Sequence, residues 1–198
     1  VVMNELPARP HLDHLKKQAK SLLDSVRHRD ADALERMRRA LPAASGLDHA
    51  AIAAREWRLH DAQSCVAREY GFESWTQLKD YVALQSTSAD TAARRQQWQR
   101  WAFGHGYQPA KPHLAERLLR EHPPLLDGDP VLACAIGDVA AVQAAIAADP
   151  KWASTARAGN GMAPLVCATF SALVSLPAFA AGIRTCVDRL LSAGADPN

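Results

Sequence analysis

The sequence carries almost no net charge: 23 basic residues against 21 acidic ones leave +2. A chain so balanced exerts no strong long-range pull on nucleic acid or anionic lipid. Cysteine is scarce and scattered. Cys65, Cys134, Cys167 and Cys186 form no CxxC pair, which argues against a disulfide frame or metal site and for small buried apolar residues. Catalytic signatures are missing too, with no glycine-rich phosphate loop, no HExxH and no Gly-x-Ser-x-Gly. His60 precedes Cys65 by five residues, but no third group is placed to orient the pair. Neither an enzymatic activity nor a cofactor is expected. A signal peptide is not expected either, because Asn4, Glu5 and Pro7 interrupt any apolar run; the default compartment is the cytoplasm. Residues 158–183 hold no charge, a length that could span a bilayer. Gly159, Gly161, Pro164 and Pro177 punctuate that stretch, and Pro177 would break a spanning helix. A buried helical hairpin fits better, and no membrane contact is expected.

What is present is helical periodicity. Leu12, Leu15, Ala19, Leu22, Leu23 and Val26 share one helical face, with Lys16, Lys17, Lys20 and Arg27 opposite. Leu34, Met37 and Leu41 mark a second helix, started by Asp30 or Asp32. Asp48 can cap a third helix, with Leu47 and Ile52 as its hydrophobic staple. A fourth runs to Gly71. A fifth starts at Ser74, where Ser74 and Gln77 suit a capping box, and buries Trp75, Leu78, Tyr81 and Val82. This predicts an all-helical module over residues 4–84. Ala67, four residues before Gly71, gives the stretch from Ala67 to Val82 a spacing shared with DNA-reading helix pairs. Residues 1–84 nevertheless hold 13 basic and 12 acidic residues, so a plain packed pair is expected. His11 and His14 sit one turn apart without further ligands and read as surface residues.

Residues 85–112 read as a linker and a docking helix. "LQSTSADTAA" is small and polar. "RRQQWQRWAFGHGY" follows, and Trp98 and Trp101 are expected to dock that helix while Arg94, Arg95 and Arg100 stay wet.

Residues 113–198 repeat a theme of helix, helix and long turn. "HLAERLLREHPPLLDGDP", "AVQAAIAADPKWASTARAGNG" and "CVDRLLSAGADPN" are three helix-then-turn segments, separated by the short "PVLACAIGD" and "APLVCATFSALVSL". Such a period marks a solenoid, whose thin units bury their apolar faces by stacking. The residues resemble the ankyrin repeat family. "CVDRLLSAGADPN" is similar to its second helix and outgoing hairpin. Gly161, Ala163, Pro164, Leu165 and Ala168 resemble its Gly-x-Thr-Pro-Leu-His-x-Ala opening, with Ala163 and Val166 in place of Thr and His. Gly137-Asp138 resembles its step into a second helix. Between Pro164 and Cys186 the chain is about ten residues longer than the family pattern. Longer helices or a projecting loop, broken at Pro177, are expected there. With about two and a half repeats present, the stack is expected to continue past Asn198. "LKKQAKSLL" and "AQSCVAREYGFESWTQLKDYV" resemble a helical module found ahead of ankyrin repeats in bacterial proteins.

The expected fold is therefore all-α, a helical bundle followed by a short ankyrin-like α-solenoid. The resemblance implies a non-catalytic scaffold that binds a protein partner through a concave face. Its candidate contacts are Arg157, Asn160 and Met162 on the turn and Phe170 on the following helix, although Met162 and Phe170 could instead fill the core. The alternatives are a DNA-binding regulator using the Ala67–Val82 pair and the targeting arm of a larger enzyme. Nucleic acid is not the expected partner.

Overall fold

The computed structural model describes residues 6, 7, 10–87 and 90–197, without the side chains of 86 and 87. Residues 4, 5, 8 and 9 of the expected first module, 88 and 89 of the linker, and the final residue 198 lie outside the described residues. The described residues form helices and turns without a strand; one isolated antiparallel bridge joins His105 and Gln108. The chain is all-α. It divides into two units, Val1–Ala89 and Asp90–Asn198.

The first unit holds α1 (Leu12–Arg27), α2 (Ala31–Ala40), α3 (His49–Ala54), α4 (Leu59–Glu69) and α5 (Trp75–Thr87). Each start is set locally. Asp30 Oδ1 accepts the Ala33 N–H at 2.8 Å, and Asp48 Oδ1 accepts that of Ala51 at 2.7 Å, which satisfies amides that a helix start leaves open. The stripe read on α1 is buried from Leu15 to Val26, against α4 and α2. Arg36 on α2 clasps Glu69 at the end of α4 with two bonds of 2.7 and 2.8 Å. At the α4–α5 turn the Phe72 N–H bonds the Ala67 carbonyl at 2.9 Å, and Ala67 is fully buried. Two expectations shift here. Gln77 N–H does donate to Ser74 Oγ, but the Gln77 side chain accepts from the Glu73 amide instead of completing a box with Ser74. Trp75 is only half-buried; the core face is Leu78, Tyr81 and Val82. α5 also runs to Thr87, three residues past the expected boundary at 84.

The second unit opens with α6 (Thr91–Phe103) and α7 (Pro112–Glu121), then a 3-10 turn at Pro123–Leu126. α8 (Pro130–Ala133) continues into a 3-10 turn at Cys134–Ile136, followed by α9 (Val139–Ala148) and α10 (Trp152–Thr155). α11 (Pro164–Phe170), a 3-10 turn at Ala172–Ser175 and α12 (Pro177–Ser192) complete it. The Gly-Asp step is visible: Gly137 takes φ +73°, and Asp138 Oδ1 caps α9 through the Ala141 amide at 3.0 Å. α11 and α12 lie against α8, α9 and the 134–136 turn, whereas the α6–α7 hairpin packs on the 172–175 turn. In α9 only Val142 is buried; Val139 and Ile146 are half-exposed.

The extra residues before Cys186 do not project. Ser171 is buried and donates its hydroxyl to the Ala135 carbonyl at 2.6 Å; Leu173 and Leu176 turn inward. Pro177 breaks nothing, because it occupies the first turn of α12, where its missing N–H costs no bond. No helix among the described residues is long and apolar enough to cross a membrane.

One backbone approach sets the packing of these pairs. A Cβ on Gly182, within α12, would lie 2.5 Å from the Gly137 carbonyl oxygen, and a Cβ on Gly137 would meet the backbone of Gly182 and Ile183. No side chain fits there. Gly182→Ala should lower the unfolding free energy of the second unit by about 1–3 kcal/mol or more. Gly159→Ala, which points into open space, should stay within about 0.5 kcal/mol. Urea unfolding midpoints of both variants measure this.

His122 adds a pH dependence. Burial, and then the nearby Arg94 guanidinium, hold its imidazole pKa below the ordinary value. A depressed histidine favours folding while neutral, so its contribution is complete above the unfolded pKa of about 6.5 and is lost as pH falls through the lower folded value. Glu35 is held down to about 2 by Arg38 and Arg39, so its contribution persists until far more acid conditions. The urea midpoint should therefore fall as the pH is lowered below about 6.5, and His122→Gln should flatten that slope.

Candidate binding groove

α6 is the element that makes the site. Its Trp98, Trp101 and Ala102 are buried, which leaves Gln96, Gln99, Arg100 and Phe103 at helical spacing along a second face. The helix stops at Gly104, whose φ of +77° and 3.0 Å Cβ approach to the Gln108 carbonyl leave room for no side chain. The reversal is closed by His105 and Gln108, which exchange backbone bonds of 3.1 and 2.9 Å. Facing it is a second reversal at 158–162. There the Ala158 N–H bonds the Met162 carbonyl at 2.9 Å, and Asn160 Oδ1 accepts the Met162 N–H at 3.1 Å.

Between them lies an open groove of about 310 Å³, lined by the α6 face, Gly104 and His105 on one side and by Asn160 and Met162 on the other. No carboxylate lines it, and among the described residues Arg100 makes no ion pair and no side-chain hydrogen bond. Tyr107, two residues beyond His105, is fully exposed at the tip of its turn.

The four expected contact residues divide. Asn160 and Met162 share the groove. Arg157 turns back on its own segment, donating to the carbonyls of Ser154 at 3.0 Å and Ala156 at 2.7 Å. Phe170 is not a core residue: it is 69% exposed, with Val166 one turn before it and Val174 beyond it also exposed. The α6 face and Tyr107 were not singled out from the sequence. Their signal was present in "RRQQWQRWAFGHGY", as the polar positions left over once Trp98 and Trp101 turn inward.

The arginines of α6 differ from expectation. Arg95 is half-buried and donates to the carbonyls of Leu125 at 3.0 Å and Asp127 at 3.3 Å, tying α6 to the 123–126 turn. Arg94 Nε is buried without a partner, as are Trp98 Nε1 and His122 Nε2. Arg100 is exposed as expected, whereas Arg94 and Arg95 are half-buried. The buried indoles offer no face for base stacking.

The first unit has its own polar hollow of about 470 Å³, lined by Lys17, Gln18, Ser21, Arg36, Glu69 and Tyr70. Its guanidinium is already neutralised by Glu69. On α5, Gln77 is tied to Glu73 at 2.9 Å, and Asp80 stands exposed beside Thr76, a mixed surface for approaching phosphates. His11 and His14 are exposed with rings 5.7 Å apart. No group of three or more His, Cys, Asp or Glu side chains among the described residues could hold a metal ion.

The cysteines are all buried and free. Burial pushes Cys65 and Cys167 up to about 12 and Cys186 to about 11, and raises Cys134 as well. His60 is exposed beside Asp61 at 3.3 Å, whereas Cys65 donates to the Arg36 carbonyl at 3.6 Å; the two residues form no dyad. A disulfide reagent at pH 8 should find no fast thiol in the native protein and four after denaturation. One rapidly titrating native thiol would show that a cysteine is exposed and activated.

No family model, no curated protein and no solved structure matches the chain.

Proposed function

We propose that the chain is a non-catalytic binding protein of the cytoplasm, which holds a protein partner on the hairpin face of its second unit. That face is the concave side of a short ankyrin-like stack. The observation that carries this reading is the open groove in which Asn160 and Met162 meet an unpaired Arg100. Phe170, on the helix that follows Met162, and Tyr107, two residues beyond His105, are exposed and of side-chain types enriched at interfaces. The stack is supported by two helix pairs in mutual contact and by the Gly137-Asp138 step. Inert thiols and the absence of converging acid and base groups around the groove fit binding better than chemistry.

A photo-crosslinking amino acid placed at Met162 or at Phe170 should trap the same protein in cell extract, while one at exposed Ser45 in the first unit should not. Asn160→Ala should reduce the yield from position 170. Identical products at all three positions, or none at 162 and 170, would refute a partner on this face.

A further inference from the structure

Resting on the binding reading above, we propose that the groove between α6 and the 158–162 reversal takes a short extended segment that is both acidic and apolar, with Arg100 holding its carboxylate. The argument begins with a census of the α6 cations. Arg95 spends its donors on the carbonyls of Leu125 and Asp127. The Nε of Arg94 is buried. Arg100 is the most exposed of the three, makes no ion pair among the described residues, and lies in a groove that no carboxylate lines. A planar fork of donors in that setting suits a carboxylate, which it can grip with two parallel bonds. Contrast Arg36, whose fork is filled by Glu69 at 2.7 and 2.8 Å.

Beside Arg100, the amides of Gln96 and Gln99 offer both donors and acceptors. An extended main chain presents both, and a free small anion presents only acceptors. The rest of the lining joins the polar His105 and Asn160 to two apolar side chains, Phe103 on α6 and Met162 opposite, whose sulfur accepts a bond from the Asn160 amide at 3.1 Å; those two give an apolar segment something to pack on. A polynucleotide fits less well. The two indoles of α6 are buried, and one arginine cannot neutralise a run of phosphates.

The test uses the whole chain and fluorescence anisotropy with four labelled probes: a short alternating Glu/Leu peptide, its Lys/Leu and Glu/Ser counterparts, and a thymidine oligonucleotide. The Glu/Leu peptide should bind best, with the Lys/Leu and Glu/Ser peptides weaker by about tenfold or more. Arg100→Glu should weaken the Glu/Leu peptide by a similar factor, and Arg100→Lys by less. The side chain of Arg100 is exposed, so both variants should keep the parent's helical circular dichroism. Equal affinity for the Lys/Leu peptide, no effect of Arg100→Glu, or tighter binding of the oligonucleotide would each overturn the proposal. Failure of the Glu/Leu peptide alongside successful crosslinking at Met162 overturns this occupant and leaves the binding reading standing. Failure of both overturns the two together.

Discussion

The second unit depends on two glycines that press backbone against backbone. At Gly137 the chain leaves the 134–136 turn and enters α9, and at Gly182 the middle of α12 passes within contact of that turn. Glycine inside a helix costs roughly 1 kcal/mol relative to alanine, so Gly182 weakens α12 taken alone. The compensation is tertiary. With no Cβ in the way, α12 settles on α9, α11 and the 134–136 turn together, and Ile183 and Cys186 are buried. Small residues continue the same logic: Ala133, Cys134, Ala135, Cys167 and Ala168 are all buried where these helices meet. The thiols are thereby withdrawn from water, and burial dominates every one of their upward pKa shifts.

That close approach has a consequence at the groove. Once α12 is set, the segment between α11 and α12 has little length in which to connect them, and it turns inward. The Ser171 hydroxyl satisfies the Ala135 carbonyl, and Leu173 supplies the apolar body on which α6 and α7 close. A buried carbonyl without that partner would cost about 1–3 kcal/mol, so the inward turn is specified by a hydrogen bond as well as by hydrophobic burial. The α6–α7 hairpin then rests on a turn that begins about fifty positions after its end, and the end of α6 is brought to the 158–162 reversal. The groove is thus assembled from segments far apart in sequence.

This explains which parts were legible in the sequence. The α1 stripe, the Asp30 and Asp48 caps and the Gly137-Asp138 step were readable because each is decided within one or two helical turns. So was the all-helical class. The inward course of 171–176 was not readable, because Pro177 looks the same whether it breaks a helix or begins one. The exposure of α9 was equally hidden. Its Val139 and Ile146 share the apolar spacing of the buried Val142, yet both stay half-exposed. Of the groove's lining, Asn160 and Met162 were named beforehand through the resemblance of their turn. Arg100 escaped because three arginines on one helix look alike until the fold half-buries two of them.

Charge balance bears on how such a surface would choose its partner. A chain with +2 net charge gains little from long-range steering, so discrimination must come at contact. One unpaired guanidinium is weak as a field source but strict as a contact, because a carboxylate aligned with it gains a charge-assisted bond and a lysine brought to the same place is repelled. The apolar wall of Phe103 and Met162 supplies attraction that does not depend on charge sign. The two together reject what either would accept: the wall alone would admit any apolar segment, and the arginine alone any anion. Selectivity of this kind needs no large surface, but it does need the arginine to be left free by its own protein. Arg100 meets that condition among the described residues, whereas Arg95 beside it is tied to the Leu125 and Asp127 carbonyls.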